Sequence, residues 1–214
     1  MKDKLLIFDF DGTLVDSLPL WQKVDVIFFE ERRGFRYDED ELGFVSKSIE
    51  ESAEISKEFF NLPESVEEII QEWVDIINEL YLTADILRPG SKELIQRARK
   101  NGYRIAIGTN NTKELITSYL EKEDMLEDFD LIMTAYEAKR SKPAPDLFLK
   151  IAETLGIDPE KSVVIEDSLQ GVQAANAAGM KSYCIKGSES DKNEQAVIDE
   201  ADHFIKSMHE VTLY

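Results

Sequence analysis

Short apolar runs, each closed by polar or turn residues, recur along the chain. Residues 4–10 (KLLIFDF) stop at Asp11-Gly12. Residues 104–109 (RIAIGT), 131–135 (LIMTA) and 162–167 (SVVIED) have the same form, and 181–186 (KSYCIK) and 203–206 are further candidates. Runs this short, with turn signals at their ends, read as buried strands. Between them lie helical patterns. Residues 92–100 stop at Asn101-Gly102, 113–122 follow Thr112 as an N-cap, 146–155 follow Pro145 and end at Gly156, and 169–178 end at Gly179. Strands alternating with helices predict an α/β fold: a Rossmann-like parallel sheet with helices on both faces.

One stretch breaks the alternation. From about residue 17 to about residue 87 no strand pattern stands out. Residues 20–33, ending at Gly34, read as a helix; so do 49–60 and 65–82, which Pro63 separates. The pattern predicts an all-helical unit, 17–87, inserted after the first strand of a core made of 1–16 and 88–214. Asp16-Ser17 and Arg88-Pro89-Gly90 are the expected hinge.

Polar chemistry gathers where the strands stop. The first run ends in Asp9-Phe10-Asp11-Gly12-Thr13, the 104–109 run in Thr109-Asn110-Asn111, and the 162–167 run in Glu166-Asp167-Ser168. In a parallel sheet these ends share one edge, where ligands bind at a topological switch point. Each acid alone reads equally well as a turn residue, but four of them converge here with a hydroxyl. Carboxylates packed together stay ionised only beside positive charge. An all-oxygen donor set without His or Cys favours a hard cation, magnesium first. Lys142, in Ser141-Lys142-Pro143-Ala144-Pro145, reads either as an exposed loop lysine or as a fixed point charge for phosphate at the same edge.

Composition narrows the partners. The 214 residues carry a net charge of −19, which opposes binding to nucleic acid or an anionic membrane. No run approaches the ~18 apolar residues of a membrane span, and the four apolar residues near the N-terminus fall short of a signal-peptide core. The cytoplasm is the expected location. The single cysteine, Cys184, excludes an intramolecular disulfide and reads as a core thiol. Arg32, Arg33 and Arg36, near Trp21, Phe28 and Phe29, read as a helix end rather than a substrate-facing patch.

Four motifs in order carry a resemblance. They are Asp9-Phe10-Asp11-Gly12-Thr13-Leu14-Val15-Asp16-Ser17; Thr109 at a strand end; Lys142 before Pro-Ala-Pro; and Val164-Ile165-Glu166-Asp167-Ser168-Leu169-Gln170-Gly171-Val172. The sequence resembles the haloacid dehalogenase-like hydrolase superfamily, in the branch with a helical cap after the first strand. That branch includes phosphatases and β-phosphoglucomutase-like members. The resemblance implies Asp9 as nucleophile and Asp11 as general acid and then base. It implies Thr109 and the Asn110 backbone N–H as holders of phosphoryl oxygens, with Lys142 neutralising Asp9 and phosphate. Magnesium would bind the Asp9 carboxylate, the Asp11 main-chain carbonyl, Asp167 and Glu166. A monomer acting on a small phosphorylated metabolite is the implied form.

The expected activity is hydrolysis through an aspartyl phosphate on Asp9. The alternative is a sugar phosphate mutase. Family mutases carry Val-Ser-Arg in the cap, and this chain has Val45-Ser46-Lys47. Lysine is a poorer bidentate clamp for a distal phosphate. Trp21 and Thr112 replace a histidine and a lysine of the mutases. A non-catalytic binding protein on the same scaffold would be expected to lose one of the four motif residues, and none is lost.

Overall fold

The structure is a computed structural model describing residues 3–38, 42, 47–187 and 194–213. Among the described residues six strands form one parallel sheet: β1 (Lys4–Phe8), β2 (Tyr103–Thr109), β3 (Leu131–Thr134), β4 (Ser162–Glu166), β5 (Lys181–Ile185) and β6 (His203–Ile205). Their spatial order is β3-β2-β1-β4-β5-β6. The order reverses at β1, so the switch point lies where β1 meets its neighbours β2 and β4.

Both sheet faces are covered, which explains the uninterrupted apolar runs. Leu6 and Phe8 face one core with Ile105, Ile107, Val163 and Ile165. Leu5 and Ile7 face the other with Ala106 and Val164. Strand side chains alternate between faces, so each strand needs apolar residues at every position. On the first face pack α4 (Ser91–Lys100) through Leu94, Ile95 and Ala98, and α5 (Lys113–Lys122) through Leu115, Ile116 and Tyr119. On the second pack α7 (Asp146–Leu155) through Leu147, Phe148 and Ile151, and α8 (Leu169–Ala177) through Ala174 and Ala175.

Between β1 and α4 lie α1 (Leu18–Asp25), α2 (Ile49–Phe60) and α3 (Val66–Thr83), with no strand among the described residues. The chain leaves and re-enters the core side by side: Val15 bridges Leu87, Asp16 N–H donates to Ile86 O at 2.7 Å, and Arg88 N–H donates to Leu14 O at 3.0 Å. Helices α2 and α3 start at Ser48 and Ser65, each in a reciprocal capping box with Glu51 and Glu68. Phe28, Phe29 and Trp73 make edge contacts at 4.8–6.3 Å and fill the space between these helices.

Several elements differ from the sequence reading: the first strand stops at Phe8, two residues short of the 4–10 run, and the 162–167 and 181–186 strands each stop one residue early. The 20–33 helix begins earlier, at Leu18, and after Asp25 widens into a π-helical turn, Val26–Glu31. The 131–135 strand ends one residue early because Thr134 caps a short helix, α6 (Ala135–Ala138), accepting from Glu137 N–H. A further helix, α9 (Glu194–Glu200), precedes β6. Arg32 and Arg33 are held by acids: Arg33 pairs with Glu72 at 2.5 Å and Glu64 at 2.9 Å, and its guanidinium lies 3.7 Å from the Phe28 ring centre. They act as cross-ties inside the helical unit. Cys184 is buried.

Candidate active site at the switch point

Asp9 follows β1 directly, and its N–H continues the ladder to Ile165 O at 2.9 Å. The chain then turns tightly: Gly12 has φ 79° and donates to Val15 O at 2.8 Å. A Cβ on Gly12 would lie 2.1 Å from Asp167 Oδ2, so only glycine lets the loop approach that acid. Thr13 Oγ1 donates to Asp167 Oδ1 at 3.2 Å, and Arg88 Nε fixes the turn from behind through Gly12 O at 2.8 Å.

From the loop that follows β3 and the short helix α6 comes Lys142, buried and beside a cis Lys142–Pro143 bond. Its ammonium donates to Asp9 Oδ1 at 2.5 Å and forms a second, closer ion pair with Glu166 Oε1. The exposed-loop reading of Lys142 is thus excluded. Glu166 ends β4, and its Oε2 accepts from Ser168 Oγ at 3.0 Å and from Asp167 N–H at 3.2 Å. Ligand oxygens of Asp9, Glu166 and Asp167 all lie within 4.8 Å of one another, and all three residues are buried.

This cluster is electrostatically loaded. Burial pushes the Asp9 carboxyl up to about 8; Lys142 opposes the rise, and the charges of Glu166 and Asp11 add to it. Burial opposes the Lys142 charge, but Asp9 and Glu166 outweigh it and hold the ammonium above its ordinary range. With all three acids ionised, one ammonium would leave two negative charges unbalanced. The donor set is all oxygen, and Gly12 beside Asp167 and Gly171 beside Glu166 make room for it, so the residues fit a hard divalent cation.

The Asp11 carboxylate stands apart from this group. Its Oδ1 accepts from Ser17 Oγ at 2.6 Å, Tyr81 OH at 2.6 Å and Trp21 Nε1 at 3.0 Å, and its Oδ2 accepts from Asn111 Nδ2 at 2.8 Å. Sequence reasoning missed these donors. They lie 6, 10, 70 and 100 positions from Asp11, and no spacing rule links them.

Thr109 ends β2, buried, and its Oγ1 accepts from Asn111 N–H at 3.0 Å. All seven expected site residues, Asp9, Asp11, Thr109, Asn110, Lys142, Glu166 and Asp167, line one cavity of about 240 Å³. The helical insert supplies its opposite wall, including Trp21, Asp25, Lys47 and Trp73. Lys47 is the described part of Val45-Ser46-Lys47; Val45 and Ser46 lie outside the described residues.

Residues 6–185 match the family model described as haloacid dehalogenase-like hydrolase. The chain belongs to this family. Hexitol phosphatase B of Escherichia coli K12 is 30% identical over 213 residues, covering 96% of this chain and 93% of that protein. A phosphorylated carbohydrates phosphatase of Thermotoga maritima is 29% identical, covering 82% of each. In shape, the crystal structure of CbbY from Rhodobacter sphaeroides in complex with phosphate matches with a TM-score of 0.84 and 25% identity, covering 98% of this chain and 96% of that one. With these relatives and the fold above, the chain is a haloacid dehalogenase-like hydrolase. No helix among the described residues is long and apolar enough to cross a membrane.

Proposed function

We propose that this hydrolase is a magnesium-dependent phosphatase that releases phosphate from a small phosphorylated metabolite through an aspartyl phosphate on Asp9. The observation that carries the reading is the Lys142 ammonium set between Asp9 and Glu166, with Asp167 completing a buried oxygen cluster. Asp9 attacks phosphorus. Its carboxylate and the incoming phosphate repel by about 4 kcal/mol per charge pair at ~4 Å in a site of effective dielectric near 20. The Lys142 charge offsets part of that repulsion. Asp9, the Asp11 main-chain carbonyl, Glu166 and Asp167 would hold magnesium, which would supply further positive charge to keep these carboxylates ionised and offset the charge of the phosphate. Thr109 Oγ and the Asn110 N–H hold phosphoryl oxygens as charge spreads over them. Asp11 protonates the leaving alkoxide and then takes a proton from the water that hydrolyses the aspartyl phosphate.

Residues 17–87 act as a cap that opens and closes about Asp16-Ser17 and Leu87-Arg88, and its wall of the cavity selects the substrate. The carbohydrate phosphatases among the relatives make phosphorylated sugars and sugar alcohols the first compounds to try. The test is phosphate release from a panel of phosphorylated sugars, polyols, glycolate, nucleotides and vitamins, with magnesium or EDTA, beside Asp9→Asn. Release that needs magnesium and vanishes in the variant is expected. A panel that stays intact under all conditions refutes the phosphatase. The competing outcome is isomerisation of β-glucose 1-phosphate without phosphate release, in which Lys47 on the cavity wall would have to meet the distal phosphate in place of the arginine of family mutases.

A further inference from the structure

Arg88 stands where the chain re-enters the core, and its guanidinium reaches back to the loop after β1. Nε donates to Gly12 O at 2.8 Å and Nη1 to Lys186 O at 3.4 Å, just past β5. Nη2 lies 3.6 Å from Asp16 Oδ1, and the side chain is only 15% exposed. Its base is fixed as well. Arg88 N–H donates to Leu14 O at 3.0 Å, and Arg88 O accepts from Ser91 N–H at 3.2 Å as α4 begins. The seat of the guanidinium exists because residue 187 is glycine. A Cβ there would lie 2.7 Å from Nη2, although the φ of Gly187 falls outside the left-handed region that calls for glycine. Space for Arg88, not backbone conformation, is what this glycine supplies. Arg88 does not line the catalytic cavity.

The turn that Arg88 grips carries a conflict. A Cβ at position 12 would strike Asp167, so the position takes glycine, and glycine has the most backbone freedom to lose. Two bonds supply the restraint that the residue itself lacks. Gly12 N–H donates to Val15 O at 2.8 Å and fixes the planar Asp11–Gly12 peptide. Arg88 Nε on Gly12 O fixes the next plane, Gly12–Thr13. On one side of that plane is the Asp11 main-chain carbonyl. On the other is Thr13, whose Oγ1 donates to Asp167 Oδ1 at 3.2 Å.

We propose that Arg88 is a positioning residue for the metal site: from outside the cavity it clamps the Gly12–Thr13 peptide and so holds the Asp11 main-chain carbonyl and Asp167 at the spacing a divalent cation needs. This rests on the magnesium reading of the oxygen cluster. Magnesium demands near-ideal octahedral geometry, so displaced donors weaken it. The sign of the effect separates positioning from charge. A guanidinium near the site repels a cation, so by charge alone its removal tightens magnesium binding. Positioning demands the reverse.

Magnesium binding to the folded chain, read by calorimetry without substrate, is the test. Arg88→Ala is expected to weaken binding about tenfold, the scale of losing a group that orients a metal ligand. Gly187→Ala keeps the arginine but pushes its tip off Gly12, and is expected to weaken binding by about threefold or more. Added to Arg88→Ala, the Gly187→Ala change is expected to alter binding by less than about twofold, because it acts only through the guanidinium. A merely structural tie would lower the melting temperature of the metal-free chain and leave the magnesium affinity of the folded chain unchanged.

Unchanged or tighter binding in Arg88→Ala overturns the proposal. So does an equal loss from Gly187→Ala with and without the arginine. Should Arg88→Ala fail to fold, Gly187→Ala decides alone, and unchanged affinity in it overturns the proposal. A wild-type chain that binds no magnesium sinks the magnesium reading and the positioning role with it. A wild type that binds magnesium, beside variants that bind it equally well, sinks the positioning role alone.

Discussion

Gly171 and Glu166 compete for one volume: a Cβ on Gly171 would lie 1.9 Å from the Glu166 carboxyl carbon. The glycine sits in the first turn of α8, where Ser168 Oγ accepts its N–H at 3.1 Å. Glu166 has little freedom to yield, since Lys142 and Ser168 hold its two oxygens. In Gly171→Ala the gain in helix propensity, about 1 kcal/mol, is outweighed by overpacking of about 1–3 kcal/mol. Melting is expected to fall by several degrees, at ~2–4 °C per kcal/mol for a chain of this size. The magnesium needed for half-maximal phosphate release should rise about tenfold. A variant with unchanged magnesium dependence would remove Glu166 from the metal set.

Lys142→Met leaves Asp9, Glu166 and Asp167 buried together without the ammonium that balances them. Removing one partner of a buried pair costs about 3–5 kcal/mol. Turnover is expected to drop by roughly two orders of magnitude or more, the scale of losing one aligned electrostatic contact. Magnesium should then raise the melting temperature of the variant more than that of wild type, because the variant has more uncompensated charge to relieve. Melts with magnesium and with EDTA read this directly. An equal shift in both proteins would mean that the cation does not bind beside Lys142.

The sheet was legible because its strands are buried on both faces, so 4–10, 104–109 and 162–167 carry no polar interruption before the functional ends. The candidate site was legible as a cluster because Asp9, Thr109, Lys142, Glu166 and Asp167 fall where parallel strands or a proline-flanked loop bring them to one edge. The donors to Asp11 were hidden for a physical reason. A tryptophan and a tyrosine on amphipathic helices look like core residues; Tyr81 does pack in the core, and the half-buried Trp21 packs against it. Only three-dimensional placement shows that their polar tips meet one carboxylate. The pairing of Arg33 with Glu64 and Glu72 was hidden likewise, 31 and 39 positions away.

Glu72 gives a pH signature of the cap. Burial works against its charge, but bonds from Arg33 and Arg32 outweigh that and hold its carboxyl below the ordinary 4.5. A lowered folded value means that the unfolded chain takes up protons first as pH falls. The stabilisation is therefore complete above about pH 4.5 and is lost as pH falls through the folded value. With the pair only partly buried, its worth is on the order of 1 kcal/mol. Glu72→Gln should be less stable than wild type by that amount in urea unfolding at pH 7, with the gap narrowing as pH is lowered below 4.5. A gap that holds constant would assign the effect to packing around Phe28.

Ser141 ties the loop of Lys142 to the cap: its hydroxyl donates to Glu51 Oε2 at 2.9 Å, the oxygen that also accepts Ser48 N–H at 2.8 Å. Beside it, Ile49 N–H reaches Asn110 O at 3.4 Å. These bonds join α2 to the two loops expected to hold phosphate, independently of the Val15–Leu87 crossing. Removing one such bond costs about 0.5–1.5 kcal/mol. If it is made only when the cap is docked on substrate, Ser141→Ala raises KM by roughly two- to tenfold and leaves kcat within about twofold, since 1.4 kcal/mol is a factor of about ten. The melting temperature should hardly move, because the capping box of Ser48 and Glu51 survives. Steady-state kinetics on the best substrate of the panel decide it. A fall in kcat at constant KM would instead mean that the bond acts on the Lys142 loop, holding the ammonium against Asp9 whether or not the cap is closed.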